Sequence, residues 1–195
     1  SSIVSLDSNE TIIKAIPIDK FDDTHFILAV SKLGQIKRSS LAEYQVQRYS
    51  RALNTMNLKK GDQVVYIDLV TQADDVFIAT LNAYAVRFNM DEVPVTGVKT
   101  GGVKGINLKD GDVVVNATTI PADARGDLFL VTHRGAVKKM SLKEFEQGTR
   151  AKRGIVVLRE LKSNAHRVSG VCYVEDNEQV VIVTSKGGAE GVDRK

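Results

Sequence analysis

The sequence has no tryptophan, one cysteine and only three histidines in 195 residues. A single cysteine cannot form an internal disulfide, which fits a reducing, cytoplasmic setting. Cys172 sits in the apolar run Val168-Ser169-Gly170-Val171-Cys172-Tyr173-Val174 and reads as a small buried hydrophobe. His25, His133 and His166 are far apart and fall at different phases of the chain's repeat. They do not supply the convergent ligands a metal needs, so no metal and no other cofactor is expected. No apolar run approaches the roughly 20 residues that span a bilayer as a helix, and no membrane partner is expected. The first residues lack the basic-then-apolar pattern of a signal peptide. The chain opens mid-pattern, as a piece of a longer protein would. Segments of a dozen residues with 3.6-residue periodicity are missing too, which disfavours a helical solenoid. Net charge is only +3, so a strongly basic surface would have to come from how the charge is arranged.

What is present is ordinary globular material, 43% hydrophobic and 26% charged, arranged in an internal repeat. The stretch Ile27-Leu28-Ala29-Val30-Ser31-Lys32-Leu33-Gly34-Gln35-Ile36-Lys37-Arg38 recurs, 101 positions on, as Leu128-Phe129-Leu130-Val131-Thr132-His133-Arg134-Gly135-Ala136-Val137-Lys138-Lys139. A weaker copy runs from Phe77 to Arg87 at a register of 50, and a fourth opens at Val180. This alignment places hairpin turns at Gly34, Tyr84, Gly135 and Gly187. A second element closes each unit: Leu58-Lys59-Lys60-Gly61-Asp62, then Leu108-Lys109-Asp110-Gly111-Asp112, then Leu161-Lys162-Ser163-Asn164, with a further copy at residues 6–13.

Each unit reads as an apolar strand, a glycine turn, a return strand, a short helical turn or strand end at Leu41 to Tyr44, a basic loop and a closing strand. About four strands in ~50 residues is the pattern of a propeller blade. The absence of tryptophan and of a GH…WD signature excludes the WD40 type. The expected fold is therefore all-β: one domain over residues 1–195, a β-propeller of about four blades' worth, as an open or partial ring. Its repeats are a closing half (1–24), three whole units (25–74, 75–126 and 127–179) and an opening part (180–195).

Catalytic groups are not evident. Asp62 and Asp112 recur at one phase, but a Gly-Asp turn explains that without chemistry. The stretch from Gly97 to Gly105 has glycines and two lysines but lacks the spacing of a nucleoside-triphosphate loop. Contact with a nucleic-acid backbone suits it better.

The positive charge gathers at two phases of the repeat. One is the return strand: Lys37 and Arg38, Arg87, and Lys138 and Lys139, with Arg134 in the third turn. The other is the loop before the closing element: Arg48 and Arg51, Lys99 and Lys104, then Arg150, Lys152 and Arg153. Equal phase in successive blades means equivalent places around an arc, so these residues are expected to form one basic rim. A curved row of cations fits a phosphate backbone. Aromatics are only 6% and are not interleaved with the basic runs, which favours duplex over single-stranded nucleic acid.

The pattern of apolar strand, Ser/Thr-x-x-Gly, Val/Ile-Lys-Arg/Lys, basic glycine-containing loop and Leu-Lys-x-Gly-Asp resembles the repeat of the C-terminal domains of bacterial type IIA topoisomerase A subunits, those of DNA gyrase and topoisomerase IV. The resemblance covers nearly the whole chain. The gyrase box Gln-Arg/Lys-Arg-Gly-Gly-Lys-Gly is matched neither at 99–105 nor at 148–154. The stretches 47–51, 105–109 and 150–154 are similar to the topoisomerase IV branch.

The resemblance implies a pinwheel variant of the propeller, in which blades exchange an outer strand. It implies a domain without catalytic machinery that binds and bends duplex DNA for decatenation and relaxation. The enzyme around it would be an ATP-hydrolysing A2B2 assembly of A and B subunits in the bacterial cytoplasm, at the nucleoid. The cleaving tyrosine would lie in an N-terminal region this chain lacks; a propeller core or loop explains Tyr44, Tyr49, Tyr66, Tyr84 and Tyr173. Two alternatives stand beside this reading: a gyrase-type wrapping domain, and a protein-interaction propeller whose basic face meets an acidic partner.

Overall fold

The structure, a computed structural model, describes residues 11–45, 55–159 and 167–192, with backbone only for Glu190 and Val192. Its elements are strands and one-turn 3-10 segments: β1 (His25–Ser31), β2 (Gln35–Ser40), β3 (Val64–Thr71), β4 (Asp75–Thr80), β5 (Tyr84–Asn89), β6 (Val103–Lys104), β7 (Val114–Ile120), β8 (Asp127–Thr132), β9 (Val137–Ser141), β10 (Ile155–Val156), β11 (Val168–Val174), β12 (Val180–Val183) and β13 (Ala189–Val192). The all-β expectation holds, and Leu41–Tyr44 is a 3-10 turn.

Four antiparallel sheets follow in order: β3-β1-β2-β6, β10-β5-β4-β7, β11-β8-β9 and β12-β13. The fourth strand of the first sheet comes from the second repeat, and that of the second sheet from the third repeat. Val103 pairs with Ile36, and Ile155 pairs with Ala85. This is the outer-strand exchange implied by the resemblance. The closing strands lie at the opposite side of the sheets, where β7 packs against both β3 and β11. The Asn116 side-chain amide donates to the Val171 carbonyl (3.3 Å), and the Tyr173 N–H to Thr118 Oγ1 (3.3 Å). The arrangement is open: among the described residues, the last sheet pairs with no strand of the first.

The core sits between successive sheets, and this explains the apolar runs. On β4, Val76 and Ile78 point toward the first sheet, beside Leu28, Val30 and Ile36. Phe77 and Ala79 point the other way, beside Leu128, Leu130 and Phe145. A strand buried on both faces loses the alternation of a half-exposed one. Phe77 meets Phe145 edge-on, with ring centroids 5.1 Å apart. Fully burying a side chain of this size stabilises by roughly 1.5–3 kcal/mol.

One turn differs from the sequence reading. The turn N–H groups that close onto residues 31, 80, 132 and 184 belong to Gly34, Ala83, Gly135 and Gly187. The second turn residue is therefore Ala83, and Tyr84 already begins β5. Ala83 adopts φ 67°, the left-handed region that glycine enters freely and alanine rarely does. Without a glycine to mark it, the repeat alignment sets this turn one residue late. The corrected register aligns Arg87 with Arg38 and Lys139.

Candidate nucleic-acid interface

The recurring Gly-Asp pair has a structural role. Asp62 Oδ1 accepts the N–H of Leu33 (2.9 Å) and of Gln63 (2.8 Å). Asp112 Oδ1 accepts the N–H of Asn82 (3.0 Å) and of Val113 (2.9 Å). Each carboxylate pins the hairpin turn of its own blade to the entry of the closing strand. Asp112→Ala would strand two amide donors and is expected to cost about 2 kcal/mol in urea unfolding. A loss within a few tenths of a kcal/mol would contradict the pin.

Among the described residues, no group of three or more His, Cys, Asp or Glu is placed to hold a metal ion. His25 Nδ1 lies 3.0 Å from Asp22 Oδ1. His133 Nδ1 lies 3.0 Å from the Arg167 backbone nitrogen, from which it accepts a hydrogen bond. Burial pushes the half-buried Cys172 thiol up, and Glu178 adds to the shift. A raised thiol pKa suits an unreactive packing residue.

The return-strand cations, expected on an exposed rim, are largely built into the protein. The side chain of residue 38, 87 or 139 meets the residue 12 positions earlier, on the neighbouring strand. Arg38 stacks over the Phe26 ring at 4.6 Å, Arg87 Nε bonds Asp75 at 2.8 Å, and Lys139 lies 3.6 Å from Asp127. The two arginines also grip the next repeat at its 3-10 turn. Arg38 Nε donates to the Val93 carbonyl, and Arg87 donates to those of Leu142 (3.2 Å) and Phe145 (2.8 Å).

Lys37 is 1% exposed. Its ammonium donates to Ser39 Oγ and to the carbonyls of Thr55 and Val98. Burial pushes its pKa down, while Glu43 opposes the shift. Lys138 is exposed but donates to the Val157 carbonyl (2.8 Å). Lys37, Arg38 and Arg87 join successive repeats and offer little surface to a ligand. Arg134 is exposed in its turn.

The loop cations are placed differently. Lys99, Lys104, Lys152 and Arg153 are all exposed, and none forms an ion pair among the described residues. The two loops that carry them lie side by side. Asn107 N–H donates to the Lys152 carbonyl (2.8 Å), and Ala151 N–H to the Gly105 carbonyl (3.0 Å). The same link recurs one repeat earlier, where Asn57 N–H donates to the Thr100 carbonyl (2.9 Å). Arg150, between them in sequence, is half-buried and holds the loops together. Arg48 and Arg51 lie outside the described residues.

Sequence reasoning missed Lys143. It is exposed beside Lys152 and Thr149 at a cleft of 390 Å³. It belongs to a 3-10 turn rather than to either recurring basic phase, so phase analysis could not find it. Lys109 was also missed; it lies over the Tyr84 ring at 5.1 Å.

A family model described as the DNA gyrase C-terminal domain, a β-propeller, matches residues 25–71, 74–121 and 126–171. The DNA topoisomerase 4 A-subunit of Bacillus subtilis (strain 168) is 42% identical over 195 residues, covering all of this chain and 24% of the relative. Its namesake in Streptococcus pneumoniae serotype 4 is 40% identical over 169 residues, 86% of this chain and 20% of that protein. The chain thus spans about a quarter or less of these relatives. A crystal structure of the C-terminal domain of DNA topoisomerase IV matches with TM-score 0.90 and 44% identity, over 97% of this chain and 58% of that one. A DNA gyrase A C-terminal domain structure, 20% identical, shares the fold with TM-score 0.82 over 96% of this chain and 62% of that one.

Proposed function

Because the chain belongs to the DNA gyrase C-terminal domain family of β-propellers, with topoisomerase IV A-subunits among its relatives, we propose that it is the duplex-binding domain of such a protein. The observation that carries this is the pairing of two loops from successive repeats, bearing four exposed cations, Lys99, Lys104, Lys152 and Arg153. A duplex laid across both loops replaces condensed counterions with fixed cations at spaced points. Contacts to phosphate position the duplex without reading its sequence. Because the loops belong to blades of an arc, a duplex that touches both bends toward the protein, at an elastic cost that depends on its flexibility.

In this reading the domain performs no chemistry. Its recurring carboxylates, Asp62 and Asp112, are engaged by backbone N–H groups. Its role is to hold and bend the segment that the rest of the enzyme transports, an A2B2 assembly with ATP-hydrolysing B-subunits at the nucleoid in the bacterial cytoplasm. The 44% identity to the topoisomerase IV domain, against 20% to the gyrase domain, favours decatenation and relaxation over gyrase-type wrapping.

The test is titration of an end-labelled ~40-base-pair duplex across a salt series. Affinity should fall with a log–log slope of about 0.9 per phosphate contacted, alike for unrelated sequences. Absence of binding at low salt, with binding to an acidic protein surface instead, would turn the reading toward a protein-interaction propeller.

A further inference from the structure

Arg150 has contacts unlike those of its exposed neighbours Lys152 and Arg153. Its Nε donates to the Glu92 carbonyl (2.8 Å) and its NH1 to the Lys104 carbonyl (2.7 Å). Its backbone N–H donates to Glu92 Oε1 (3.0 Å). One residue of the third repeat is therefore tied at three points to the second. Arg150 thus bonds the backbone of Lys104, an exposed cation of one loop, and stands two and three residues before Lys152 and Arg153, the exposed cations of the other.

We propose that Glu92 and Arg150 form a bracket that sets the spacing between the two groups of exposed cations, and so the bend imposed on a bound duplex. This rests on the duplex-binding reading above. Arg150 is then a positioning residue rather than a phosphate contact, and Glu92 is a functional acid on a basic rim. A planar guanidinium spans two carbonyls in a fixed fork, which a lysine ammonium cannot reproduce. Bending is costly enough for spacing to matter, and the cost falls on bending rather than on the number of phosphates touched.

The bracket and simple electrostatics make opposite predictions. Glu92→Ala removes a negative charge beside the rim, so charge alone would strengthen binding. The bracket predicts instead that the variant keeps the wild-type salt slope but loses about tenfold in its preference for a pre-bent duplex. Energy transfer between the ends of a labelled duplex should fall with it. Arg150→Lys, at unchanged charge, should behave the same way. Glu92→Gln still presents an oxygen to the Arg150 N–H and should retain the bend, which separates the bracket from the mere loss of an acid.

All variants are read well below their unfolding midpoints, and substitutions at both Glu92 and Arg150 keep the test open if one fails to fold. The proposal is overturned if Glu92→Ala and Arg150→Lys bend DNA as the wild type does. It is also overturned if Arg150→Ala lowers the salt slope by about one while Arg150→Lys restores it, since that marks a phosphate contact. A wild-type domain that binds no duplex at any salt would sink the underlying reading, a result distinct from either.

Discussion

Gly154→Ala is expected to destabilise the domain by about 3 kcal/mol or more. Gly154 precedes the exchanged strand β10 with φ +85°, a conformation disfavoured for any residue with a Cβ. An alanine Cβ would also run into the Ala85 carbonyl group and the Val86 side chain. Neither backbone can yield without breaking the pairing of Ile155 with Ala85. Gly102 stands at the same place before β6, facing the Ile36 carbonyl with φ +80°. Gly111 is the control, with a similar φ of +78° and nothing within 4 Å of an added Cβ. Gly111→Ala should cost only the conformational part, about 1–2 kcal/mol. Urea unfolding of both variants measures the difference. Equal losses would mean that close docking of the exchanged strand contributes nothing beyond backbone preference.

That docking is the part of the fold the residues themselves concealed. The hairpins were legible because apolar runs and glycine turns recur, and the sandwiching of each sheet between its neighbours keeps those runs apolar. The exchanged strands span only Val103–Lys104 and Ile155–Val156, too short for any periodicity to show. They lie in loops whose basic character pointed to a ligand. Only the family resemblance pointed to the exchange.

The candidate site was half legible for a related reason. Recurrence of a cation at one phase arises equally from a repeated structural clip and from a repeated ligand contact. Arg38 and Arg87 are of the first kind, and Lys104, Lys152 and Arg153 have the exposure the second requires. One signal was available: Asp75 and Asp127 recur opposite Arg87 and Lys139, which marks that phase as paired within the protein.

The second large effect follows from this division. Neutralising Lys99, Lys104, Lys152 and Arg153 together, each to glutamine, removes exposed charges that form no ion pair among the described residues. Stability should change little, because surface substitutions away from packed features usually fall within about 0.5 kcal/mol each. DNA binding should change greatly. If each cation neutralises one phosphate, the salt slope falls by about 0.9 per residue, or about 3.6 in all. Affinity at low salt should fall by orders of magnitude, and sequence preference should stay as weak as before, because no base contact is removed. The loops themselves remain tied, since their links run through backbone groups and Arg150.

The most direct measurement is therefore the duplex salt series run on the wild type and on this fourfold variant side by side, with the unfolding midpoint of each recorded in the same buffers. The account predicts a steep slope for the wild type, a slope lower by about 3–4 for the variant, and closely similar midpoints. An unchanged slope in a folded variant would contradict it, and would place the duplex, if it binds at all, on a surface other than these two loops.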